Sequence, residues 1–193
     1  MDTGVLVAVV VVVVILGSMF VAQYNGLVSL RAQLERAWSN IDVLLKQRYE
    51  ELPSLMQVIE QYAGYESSLL KQLAAARDRY GQARSVDEKM ETSKELSMAV
   101  RGVVGLAEAY PELKANQNFL QLQSRVSELE NALADRRESY NEAVANFNAR
   151  IDQFPAILSA RMLNYQRQGM FEAAPVERSM PSLKMNLPMT KSV

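Results

Sequence analysis

The sequence predicts an all-α protein in which one membrane-spanning helix runs into a long helical rod. Three observations carry this. Residues Gly4 to Ala22 form an uninterrupted apolar run that holds six consecutive valines, Val9 to Val14. From about residue 24 to residue 81 apolar side chains recur at alternating steps of three and four, the spacing of one face of a helix. Glycine and proline number only 8 and 6 in 193 residues, so few breaks interrupt the elements. The chain therefore divides into an anchor over 1–23, a helical body over 24–171 and a tail over 172–193.

The nineteen residues from Gly4 to Ala22, at about 1.5 Å each, give about 28 Å of helix, close to the ~30 Å hydrocarbon core of a bilayer. Lipid forces backbone groups to bond within the segment, which turns a valine run into a helix instead of an open strand. Gly4, Val9, Val14, Ser18 and Ala22 mark the span, and Ser18 is its one polar side chain. A cleaved secretory signal would need basic residues ahead of the run, and Met1-Asp2-Thr3 has none; Phe20 also disfavours cleavage after Ala22. An uncleaved single-pass anchor is expected. Arg31, Arg36, Lys46 and Arg48 all follow the span while no base precedes it, which places the body on the cytoplasmic side.

The seam after the anchor reads Leu27, Leu30, Leu34, Ala37, Ile41, Leu44, Arg48, Leu52, Leu55, Ile59, Tyr62, Glu66, Leu69, Leu73, Ala76 and Tyr80. It predicts one long amphipathic helix over 24–81. Pro53 removes an amide donor and crowds the preceding turn, so a bend near Tyr49 to Leu52 is expected, with Gly64 a second weak point. Because the seam runs past both, the pattern favours a bent helix over two separate ones. Trp38 lies too far along for an interfacial anchor and is expected to pack in the core, whereas Tyr24 suits the interface.

Gly81 to Asp87 forms the first turn, with Ser85 or Asp87 as the cap of a second helix over 87–110. Met90, Leu96, Val100, Val103, Ala107 and Tyr110 supply its apolar face; Gly102 and Gly105 weaken it or permit close packing. Tyr110 precedes Pro111 and should end or bend the segment, and a turn follows to Asn118. The third helix carries Phe119, Leu122, Val126, Leu129, Leu133, Arg136, Tyr140, Val144, Phe147, Ile151 and Phe154, and stops at Pro155. Ile157 to Tyr165 forms a shorter fourth piece. The tail holds Pro175, Pro181 and Pro188 without helical period, so it is expected to be disordered or to dock through Met180, Met185, Leu187 and Met189, whose flexible side chains fit irregular grooves.

Composition removes whole classes of chemistry. Cysteine and histidine are both absent, which takes away thiolate nucleophiles, imidazole bases and the commonest transition-metal ligands. Twenty-one Lys and Arg balance 22 Asp and Glu, leaving no electrostatic footprint for nucleic acid. Glu50, Glu51, Glu128, Glu130 and Asp135 have no histidine beside them and read as solvated faces. Neither catalytic residues, a cofactor nor a metal is expected. Arg48 and Arg136 fall on seam positions and must find a carboxylate or carbonyl, with Asp42, Glu51, Glu130 and Glu138 as candidates. Tyr24-Asn25, Tyr140-Asn141 and Phe147-Asn148 are expected to bracket helix ends through amide-to-backbone bonds.

Particular residue strings resemble the LemA family. Tyr24-Asn25-Gly26-Leu27-Val28, Ala37-Trp38 and Ile41-Asp42-Val43 look like its opening, and Glu108-Ala109-Tyr110-Pro111-Glu112-Leu113-Lys114-Ala115-Asn116 is similar to its middle motif. Arg136-Arg137, Tyr140-Asn141, Ala143-Val144, Phe147-Asn148 and Phe154-Pro155 resemble its third-helix motif. The likeness covers about 24–171; Tyr65 stands where the family usually has histidine. The resemblance implies a bacterial inner-membrane protein with one amino-terminal crossing, an antiparallel bundle dominated by three helices with a possible fourth, and no established enzymatic activity. Some relatives are associated with shaping internal bacterial membranes. The reading that follows is a membrane-anchored scaffold that assembles with copies of itself. The alternative is an adaptor that presents the bundle to another membrane protein; an enzyme or ligand sensor comes third.

Overall fold

The computed structural model describes residues 3–63, 68–106 and 110–171, and all regular structure among them is helical. The apolar run and the first part of the seam form one helix, α1, Thr3–Ala63. It continues through Pro53, and no break separates the anchor from the body. α2 (Ser68–Gln82) and α3 (Val86–Leu106) follow as a hairpin, then one helical turn, α4 (Pro111–Lys114), the long α5 (Gln117–Asp152) and the short α6 (Ala156–Met162).

α5 runs antiparallel to α1 along most of its length. Tyr62 accepts from Asn116 at one end, Arg48 meets Glu130 in the middle, Trp38 meets Tyr140 further down, and Gln23 accepts from Arg150 at the other end. α2 and α3 are joined by Arg79 and Glu95 and close the core, with Tyr80 against Tyr49 and Lys89 paired to Asp42. Leu27, Ile41, Leu45, Leu52, Leu55 and Ile59 of α1 are buried with Leu73, Leu96, Val103, Phe119, Leu133 and Phe147. Residues 3–22 are exposed throughout and contribute nothing to the buried core.

Several expectations are corrected. Residues 24–81 are not one bent helix: the Tyr49 and Tyr80 ring centroids are 5.8 Å apart, whereas the rise of a straight helix from residue 49 to residue 80 would separate them by about 46 Å. The seam is shared by two antiparallel helices, since a hairpin's second arm repeats the period of its first. The second helix is described over Val86–Leu106, and the expected continuation over 107–109 lies outside the described residues. Tyr110 is extended and Pro111 opens α4 at its first position, where its missing amide costs nothing. Ser85 caps α3 by accepting from Glu88 N, while the Glu88 carboxylate accepts from Ser85 N and Arg84 N, a reciprocal capping box.

α5 ends at Asp152, so Phe154 leaves the seam and is 82 % exposed in the corner before a cis bond to Pro155. The fourth piece forms as α6, and Asn164 ends its turn at φ 52°, a left-handed position that asparagine tolerates. The expected tail docking through Met180, Met185, Leu187 and Met189 lies outside the described residues.

Candidate functional site

Arg48 is fully buried. Its Nη1 donates to Ser97 Oγ at 2.7 Å and to Glu130 Oε1, and its Nη2 donates to the Ser93 carbonyl at 3.3 Å. One side chain of α1 thus binds α3 and α5 together. Glu130 keeps 15 % of its side-chain surface exposed, so among the acidic residues expected to be solvated this one is drawn inward. Arg48 Nε is buried with no hydrogen-bond partner among the described residues. Nearby, burial pushes the Tyr80 phenol up to about 12; the Asp42 carboxylate adds to the rise and the Arg48 charge opposes it.

Arg136 is not the second buried cation. It is exposed, and its neighbour Arg137 turns inward instead, with its guanidinium 5.2 Å from the Phe171 ring centroid and Nη2 3.4 Å from Ser93 Oγ. A strictly heptad stripe holds through Phe119, Val126, Leu133, Tyr140 and Phe147. Its companion stripe drifts by one residue because a straight helix turns every 3.6 residues, about 20° out of step per heptad.

Of the three expected asparagines, Asn141 and Asn148 form amide-to-backbone bonds, and they do so within α5 instead of at a helix end. Tyr24-Asn25 lies inside α1 and is exposed. Asn148 donates to the Gln168 carbonyl and accepts from Gln168 N, both at 2.9 Å. Asn141 does the same with Phe171, both at 2.8 Å. The seven residues from 141 to 148 rise about 10.5 Å along a helix, and three extended residues span about 10 Å. Two asparagines one heptad apart therefore match every third residue of an extended strap running antiparallel to α5.

Phe171 closes the strap. It stacks on Trp38 at 6.2 Å and meets Tyr140 edge-on at 5.6 Å, and Trp38 and Tyr140 touch at 5.8 Å. Trp38 is accordingly half-buried under the strap. Burial raises the Tyr140 phenol, helped by Asp87. A Cβ on Gly169 would stand 3.3 Å from Asp87 Oδ1, so the strap also passes closely over the start of α3. Phe171 was not among the sequence candidates; a lone aromatic beyond the last helical period was its only signal. Surface depressions are open; one is lined mainly by polar side chains, among them Gln47, Glu50, Glu51, Arg125 and Glu128, and another between α2 and α3 mainly by apolar ones, among them Leu69, Ala76, Met98 and Ala99. Among the described residues no three metal-ligating side chains gather.

These features define an antiparallel helical bundle whose first helix carries a segment long and apolar enough to cross a membrane, exposed over that whole length. The sequence model of the LemA family matches residues 37–185, and the chain belongs to that family. The match takes in most of the body, from residue 37, and part of the tail, and begins beyond the apolar run. Protein LemA of Metamycoplasma hominis is 25 % identical over 163 residues, which cover 82 % of this chain and 73 % of the relative. The family is membrane-associated and is not known as one of enzymes.

Proposed function

We propose that this chain is a non-enzymatic scaffold of the bacterial inner membrane, anchored by residues 1–23, with the body of 24–171 on the cytoplasmic side and assembling with copies of itself to organise or shape membrane. The observation that carries this reading is α1 itself. Its 61 residues make about 90 Å of helix, and the part that would sit in lipid passes into the part that holds the core without a loop between them. A tethered catalytic domain has no need of such a joint-free connection. A wedge does, because it fixes the angle of the body against the bilayer. Many such wedges act together through individually weak contacts.

Light scattering of the full-length protein in mild detergent tests the assembly. A multimer that persists on dilution agrees with the scaffold; a monomer at every concentration contradicts it and favours the adaptor, whose partner a pull-down of fixed stoichiometry would reveal. For the orientation, protease added to intact spheroplasts should spare the body. Digestion would overturn that assignment.

A further inference from the structure

We infer that Phe154, Leu158 and Met162 form a second membrane contact that sits in the headgroup layer of the bilayer holding residues 4–22; this rests on the proposed span. Leu158 and Met162 are one turn apart on α6, with Phe154 in the corner just before it, and they are 55 %, 74 % and 82 % exposed. Ala156, Ser159 and Ala160 on the other side of α6 are buried. α6 thus keeps its small side chains inside and turns its large apolar ones outward, the reverse of a water-facing helix.

Position identifies what covers this face. Arg150 Nη2 lies 2.6 Å from Gln23 Oε1, one residue past the end of the apolar run at Ala22. α5 therefore descends to the level where the span leaves lipid, and Phe154 follows four residues later. The covalent path holds the exposed face beside the bilayer surface. Other large exposed apolar side chains of the body, such as Val43, Met98 and Leu120, are scattered singly, which is ordinary for a protein surface. An exposed base, Arg161, accompanies the face as an anionic headgroup layer would favour, while Arg167 is paired with Asp152. A short amphipathic element with Phe, Leu and Met outward and arginine beside them suits the boundary between headgroups and acyl chains. With one foot in the span and another at the surface, the body could neither swivel about α1 nor tilt freely.

The absence of cysteine makes the test direct. Phe154→Cys, Leu158→Cys and Met162→Cys, each labelled with a polarity-sensitive fluorophore, are reconstituted as full-length protein in phosphatidylethanolamine and phosphatidylglycerol vesicles carrying a spin-labelled quencher lipid. Val14→Cys serves as the control within the span and Leu120→Cys as the control on the rod. The expected result is loss of emission at 154, 158, 162 and 14, with none at 120. Loss at 14 without loss at all three of the others overturns the second contact and leaves the span standing. No loss at 14 overturns the span and the second contact with it, and equal loss at 120 overturns the contact in favour of a rod lying flat.

Discussion

Replacing Arg48 with methionine keeps most of the side-chain volume and deletes the charge. The perturbation leaves the Glu130 carboxylate, Ser97 Oγ and the Ser93 carbonyl without the donor they share. Removing one partner of a buried ion pair costs about 3–5 kcal/mol. Glu130 retains 15 % exposure and can recover some hydration, which sets the expected cost at the lower end, about 3 kcal/mol. For a chain of this size each kcal/mol lowers the melting temperature by about 2–4 °C, so Arg48→Met should melt about 6–12 °C below the parent. Adding Glu130→Leu removes the stranded carboxylate, and the double variant should regain stability over Arg48→Met, since apolar replacement of a whole buried pair is often neutral or stabilising. Thermal unfolding of the full chain in detergent, followed by circular dichroism, measures both. A single variant within about 2 °C of the parent, a loss of under ~1 kcal/mol, would refute the role given to Arg48, as would a double variant less stable than the single.

Asn141→Ala and Asn148→Ala each remove two bonds to the strap. At about 1 kcal/mol per bond, amide exchange at Phe171 or Gln168 should quicken by about 30-fold while the core amides stay protected; unchanged exchange would contradict the clamp. Phe171→Ala uncovers Trp38, the single tryptophan, so its emission should shift to the red with little loss of helix; an unmoved spectrum would mean the strap does not cover it. Ser85→Ala should cost about 1 kcal/mol through loss of the α3 cap, read as a lower denaturant midpoint. The backbone amides of Arg84 and then Ser85 hold the Glu88 carboxyl below its usual 4.5. Its contribution is therefore complete above that value and fades as pH falls through the lower folded value. Glu88→Gln should flatten this acid dependence, and an identical acid profile would contradict it.

The helical class and most of the core were legible because burial imposes a period. Leu27, Leu34, Ile41, Leu52, Leu55 and Ile59 occupy the stripe that spacing alone predicts. The reversal between α1 and α2 was not legible, since Leu69, Leu73, Ala76 and Tyr80 continue the same rhythm whether the chain runs straight or folds back. Spacing placed Arg48 on the seam, but only the fold could choose Glu130 over Asp42, Glu51 or Glu138, because the choice depends on the register of α5 against α1. The same register, with its drift between 3.5 and 3.6 residues per turn, exchanged Arg136 for Arg137. The strap escaped entirely. An extended segment has no helical period, and the seven-residue spacing of Asn141 and Asn148 gains meaning only once the partner backbone lies beside them.

In the proposed scaffold α1 joins the span to the body as one stiff element. Spin labels at Val14→Cys and Val43→Cys, both on exposed positions of α1, measure it directly by pulsed electron resonance in lipid, diluted with unlabelled protein to suppress distances between copies. Twenty-nine residues of continuous helix predict a narrow distribution centred near about 44 Å. A broad distribution, or a mean well short of that distance, would show a joint between membrane and bundle and contradict the scaffold.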